Sequence, residues 1–196
     1  MKKFLFALVG VLLAAQAFGM AWRRDPAPVT NFDLQRYLGK WYEIARFENR
    51  FESNLSHVTA EIVQDPYGKI TIINRGYDTA GKNWVETEST AEFAKAPSVG
   101  ELKVMFFWPF KGRYKIIALD EKDYQWAMVT ARGHRYLWIL SRKPTLDQKT
   151  LETLLAKARK EGYNVDKLHY TDQGMVNPPP PPPWAEPKPA PTPAAR

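Results

Sequence analysis

Few residues in this sequence are placed to break a bond. The three histidines, His57, His134 and His169, are far apart and fall near strand ends or loops. No H-x-x-x-H pair, G-x-S-x-G elbow or phosphate-binding glycine loop is present. There is no cysteine, so a thiolate nucleophile, a thiolate metal site and disulfides are all excluded. Glu43 is inward by strand parity, where a structural or ligand-orienting carboxylate is the commoner arrangement. The expectation is a protein with no catalytic residue, no metal and no cofactor. The competing class is an enzyme acting on a hydrophobic small molecule, with Glu43 or a histidine as base.

Binding is the chemistry this pattern suits. Alternate residues of a strand share a face. Val58, Ala60 and Ile62 share one face, as do Ile70, Ile72 and Asn74. Leu102, Val104 and Phe106 form a third set, and Tyr114, Ile116 and Ala118 a fourth. Each set opposes a mostly polar face. Asn74 stands among apolar positions, where a lone amide can orient a ligand head group. Ala60 and Ala118 leave room beside it. Trp108, Tyr114 and Trp138 are large and amphipathic, as cavity walls often are.

Those faces need strands to carry them. Strands are predicted near 41–48, 57–64, 69–77, 83–94, 101–108, 112–119, 124–131 and 135–142. Turn signals separate many of them, including Asp65-Pro66-Tyr67-Gly68, Asp78-Thr79-Ala80-Gly81 and Arg132-Gly133-His134. Eight strands at roughly 10–12-residue spacing predict a sandwich or an up-and-down barrel. No helical segment interrupts them, which disfavours parallel βαβ units. One helix follows. Thr145 and Gln148 have capping-box spacing, Leu151, Leu154, Leu155 and Ala158 make one apolar face, and Gly162 can end it. Such a helix packs on the outside of the sheet. A short helical turn over 32–38 and a last strand over 167–171 complete the pattern.

The ends read differently. Lys2 and Lys3, the apolar run Phe4–Ala15 and the small-x-small site Ala15-Gln16-Ala17 predict a secretory signal over 1–17, with cleavage after Gly19 the second choice. The run is short for a membrane span, which needs about 20 residues. Residues 173–196 are expected to form a proline-rich disordered tail. Pro178–Pro183 are consecutive and four more prolines follow, a composition suited to polyproline II. Net charge is +7, from scattered residues. That balance suits a solvated surface or mild attraction to anionic lipid, and no nucleic-acid-binding pattern is present.

The segment Gly39-Lys40-Trp41-Tyr42-Glu43 resembles the G-x-W opening of the lipocalins, and Ile139-Leu140-Ser141-Arg142 resembles their closing motif. Phe106-Phe107-Trp108-Pro109-Phe110, Tyr114–Asp120 and Tyr136–Pro144 extend the likeness to the bacterial, apolipoprotein D-like group, over about residues 30–172. The resemblance implies an all-β fold: an eight-stranded antiparallel up-and-down lipocalin barrel with one C-terminal α-helix outside. It implies a structural role for Gly39, Trp41, Asp120 and Arg142, with Arg142 across the Trp41 ring. The flanks of Asp120, Leu119 and Glu121, depart from the family's middle motif. The implied walls are Ile62, Asn74, Val104, Phe106, Tyr114, Ile116, Trp138 and Leu140. Together with Ala60, Ile72 and Trp108 they form the candidate ligand-binding set. The implied ligand is a fatty acid, lysophospholipid or similar amphiphile, stored or carried in the cell envelope by a monomer or homodimer. Relatives are commonly lipid-anchored through a cysteine. Its absence here predicts an unanchored periplasmic carrier, in peripheral contact with the outer membrane at most. The alternative role is that of an interaction module working through its proline tail.

Overall fold

The computed structural model describes residues 25–50, 52–107 and 110–174. The leader over 1–17 and residues 175–196 of the proline tail lie outside the described residues. A four-residue helix α1 (Leu34–Tyr37) leads in, its first turn capped by Asp33, which accepts from the Gln35 N–H. Eight strands follow: β1 (Gly39–Phe47), β2 (Leu55–Gln64), β3 (Ile70–Asp78), β4 (Asn83–Phe93), β5 (Glu101–Phe107), β6 (Phe110–Leu119), β7 (Trp126–Ala131) and β8 (Tyr136–Ser141). Helix α2 (Gln148–Lys160), a 3-10 turn (Val165–Lys167) and a short β9 (Leu168–Tyr170) complete the chain.

Every strand pairs antiparallel with its neighbour, and β8 returns to β1. The pairing of β1 with β2 closes the sheet on itself. Of the two architectures the spacing allowed, the closed barrel is the one formed. Closure removes the exposed edges that an open sheet would present. Strand β9 is added outside the cycle, against β1.

Two apolar layers result. One lies inside the barrel and contains Trp41, Ile62, Ile72, Leu102, Val104, Ile116 and Leu140. The other lies outside, where Leu154 and Ala158 of α2 pack on Ala45, Ile117, Met128, Leu137 and Ile139. The helix starts two residues later than the capping box suggests. Asp147 is its N-cap, accepting from Thr150 N–H at 2.9 Å, while the Thr145 carbonyl is taken by the Ser141 hydroxyl. Gly162 ends it at φ +92°, a value open to glycine at little cost. Among the described residues no helix is long and apolar enough to cross a membrane.

Register shifts interrupt four of the strand pairs, and two of them bear on the inward residues expected from parity. In β6 the shift between Ile116 and Ala118 against β7 moves Ala118 to the outer layer, beside Met128 and Leu154. Leu119 takes an inner place instead. The expectation that Ala118 leaves room inside is therefore corrected: a bulge adds one residue and inverts parity beyond it. In β1 the shift between Glu43 and Ala45 against β8 does the same. It sets Glu43 opposite Leu140 and Arg46 opposite Trp138.

Candidate ligand-binding cavity

The barrel's two ends are built differently. At the closed end Trp41 is fully buried, and its indole N–H donates to the Tyr37 carbonyl at 2.9 Å. The Arg142 guanidinium carbon lies 3.8 Å from the Trp41 ring centroid. Its N–H groups donate to the carbonyls of Lys40 (2.9 Å), Arg36 (2.7 Å) and Tyr124 (3.2 Å). Gly39 at φ +91° lets the chain pass beneath this guanidinium. A carboxylate oxygen of Asp120 accepts from Gln125 N–H, which shapes the β6–β7 turn. Tyr37 and Tyr114 hydroxyls share a 2.8 Å hydrogen bond. Burial raises both phenols, that of Tyr114 to about 12, so the pair stays neutral.

Toward the other end lies a cavity of about 800 Å³. Its walls include Leu55, Val58, Ala60, Ile72, Asn74, Val85, Val104, Tyr114, Trp138 and Leu140. Glu48, Glu52, Lys111, Arg132 and Arg135 also line it. This size lies within the range of small-molecule sites, about 300–1,000 Å³.

A polar knot sits in the cavity wall. Glu43 accepts from Arg46 at 2.7 Å and from the Thr171 hydroxyl at 2.5 Å. Arg46 has no exposed surface and also donates to the Glu52 carbonyl at 2.6 Å. Burial pushes the Glu43 carboxyl up to about 7, and the nearby Glu52 carboxylate adds to the rise. Arg46 and Thr171 pull it back. Glu52 in turn accepts from the Trp138 indole at 3.2 Å, tying the knot to an aromatic wall. Among the described residues no group of three or more His, Asp or Glu could hold a metal ion.

A family model described as a lipocalin-like domain matches residues 32–173. The chain belongs to the lipocalins. Outer membrane lipoprotein Blc of Escherichia coli (strain K12) is 43% identical to it over 169 residues, covering 83% of this chain and 95% of that protein. The protein of the same name in Citrobacter freundii is 48% identical over 145 residues, 74% and 81% of the two chains. Apolipoprotein D of Bos taurus is 32% identical over 176 residues, 85% and 92%. Among solved structures, insecticyanin of the tobacco hornworm Manduca sexta superposes with a TM-score of 0.63 at 22% identity, over 77% of this chain and 86% of its own.

In this lipocalin, seven of the eleven candidate wall residues line the cavity: Ala60, Ile72, Asn74, Val104, Tyr114, Trp138 and Leu140. Ile62 and Ile116 are fully buried lower down, in the inner layer that also holds Trp41. Strand parity assigns a face but not a height along the barrel, so it could not separate these two. Trp108 lies outside the described residues, as does the side chain of Phe106. Several lining residues are absent from the candidate set. Val85, Thr87 and Ser89 of β4 alternate with Glu86 and Glu88, but only the first of the three is apolar, so the signal for an inward face was weak. Tyr136 stands two residues before Trp138 and shares its face. Arg46, which lies behind Glu43 and does not itself line the cavity, left no such signal, because its placement depends on the bulge.

Proposed function

We propose that this lipocalin carries a single-chain amphiphile, a fatty acid or a lysophospholipid, with the hydrocarbon in the cavity and the head group at the rim. The observation that carries the reading is the cavity itself: about 800 Å³, apolar in its walls and charged where Glu48, Glu52, Lys111, Arg132 and Arg135 meet it. Each buried methylene contributes about 0.8 kcal/mol, so a C16 chain supplies roughly 10 kcal/mol before association costs. Ala60, Ile72, Val104, Tyr114, Trp138 and Leu140 would hold the chain, with Asn74 as the lone amide among them.

The proposed place is the cell envelope. Relatives bear the name outer membrane lipoprotein. No residue of this sequence is a cysteine, so none can carry a thioether-linked lipid. Export by residues 1–17 followed by a barrel domain over 30–172 and a tail over 173–196 is the organisation we infer. The role is lipid storage or transfer, without catalysis.

Trp138 provides the readout. Titration with a C16–C18 fatty acid or lysophospholipid should change tryptophan fluorescence and saturate below about 100 μM, an affinity of about 5.5 kcal/mol or better. A flat or purely linear response to both ligand classes would overturn the carrier reading.

A further inference from the structure

We propose that the proline run Pro178–Pro183 docks back on the outside of the same barrel, on the aromatic cluster of His57, Tyr77 and Trp84. The starting observation is an incomplete seam. Direct pairing of β1 with β2 ends at Tyr42 opposite Thr59. Toward the open end the chain's own Thr171–Gln173 segment fills the gap. Thr171 N–H donates to the Ile44 carbonyl at 3.1 Å, and His57 N–H donates to the Asp172 carbonyl at 2.7 Å. The Gln173 side-chain amide donates to the carbonyls of Glu43 at 2.8 Å and Val58 at 2.7 Å.

This segment runs antiparallel to β1, toward the point where β1 and β2 bond to each other. It cannot continue between them. Gly174, the last described residue, is exposed, two residues after the Asp172 that bonds His57. There the outer face carries three rings, each partly exposed. His57 and Trp84 are 6.3 Å apart at 73°, and Tyr77 and Trp84 are 5.7 Å apart at 66°. None of the three lines the cavity. Polyproline II segments dock on clustered aromatic side chains of this kind.

The lengths agree. Trp84 on β4 lies two strand spacings from β2, about 10 Å. Met175, Val176 and Asn177 span about 10 Å when extended. A short spacer is thus enough to bring the proline run to the cluster, and six prolines, about 19 Å long as polyproline II, are long enough to lie across its rings. Prolines have no N–H to extend the sheet, and their stiffness lowers the entropy lost on docking. Docking would also hold Thr171–Gln173 in the seam, whose Thr171 touches Glu43 and Arg46 at the cavity wall. The proposal is independent of which ligand the cavity takes.

NMR of three proteins tests it: the full chain, a chain ending at Gly174, and a full chain carrying Pro179→Ser, Pro180→Ser and Pro182→Ser. Loss of the tail or of its prolines should move the Trp84 indole and Tyr77 ring resonances and speed amide exchange at His57. A synthetic peptide of residues 175–190, added to the shortened chain, should restore both; it should leave the Tyr77 ring unmoved on a chain carrying Trp84→Ala and the Trp84 indole unmoved on a chain carrying Tyr77→Ser. Unchanged Trp84 and Tyr77 resonances in the shortened chain would overturn the proposal. A tail effect that grows with protein concentration, with dimers in sedimentation, would overturn it in favour of exchange between copies.

Discussion

Two tryptophans, one at each end of the barrel, show how the same strands make a plug and a pocket. Trp41 has no exposed surface, lies under Arg142 and donates its indole N–H to the Tyr37 carbonyl. Trp138 stays partly exposed and offers its N–H to Glu52 beside the cavity. Both are inward residues of neighbouring strands. The difference is what surrounds them. Around Trp41 the layer is filled by Tyr37, Ile62, Ile116 and Leu119. The cavity that Trp138 lines is also lined by Ala131 and Gly112, small residues that leave its centre open. Close packing is thus concentrated at one end and open volume at the other.

The largest effect expected from this contrast is at the closed end. Trp41→Ala removes a fully buried ring and the partner of Arg142, a loss of about 3–5 kcal/mol. Urea denaturation measures it, and a loss below about 1 kcal/mol would break the contrast. Trp138→Ala should show the reverse balance. It should weaken amphiphile binding about tenfold, or about 1.4 kcal/mol, with a smaller stability loss than Trp41→Ala. An unchanged affinity would remove Trp138 from the wall.

The smallest effect sharpens the electrostatic side. The Glu43 carboxyl is at about 7 in the folded protein, above its ordinary value of 4.5. The folded state therefore holds a proton that the unfolded chain releases between those two values. Its contribution to stability is fully present below pH 4.5 and is lost as pH rises through 7. Urea midpoints should fall over that window, and Glu43→Gln should remove this part of the slope. A variant with an identical pH profile would show that Glu43 is ionised when buried.

Legibility differed along the same axis. Strands β2 and β3 follow strict alternation through Val58, Ala60 and Ile62 and through Ile70, Ile72 and Asn74, and their inward faces could be read directly. Strand β4 was harder, because Thr87 and Ser89 are polar yet line the cavity. Glu43 was readable as inward, but its partner Arg46 was not, since a residue three positions away belongs to the opposite face of a regular strand. Asp147 in place of Thr145 as the cap of α2 is a choice between two adequate acceptors, decided by the contact of the Thr145 carbonyl with Ser141.

By itself the sequence determined what is local. Period-two alternation set an apolar face on each strand, the Leu151–Ala158 spacing set an apolar stripe on a helix, and the lack of cysteine ruled out thiol chemistry. Only the tertiary structure decided where parity inverts, as at Glu43–Ala45 and Ile116–Ala118, and therefore that Arg46 joins Glu43 while Ala118 meets α2. It also decided that the inward faces fill at one end and stand apart at the other. Whether a face becomes core or cavity depends on the side-chain volumes that all the strands bring to one level, and neighbours along the chain do not share that information.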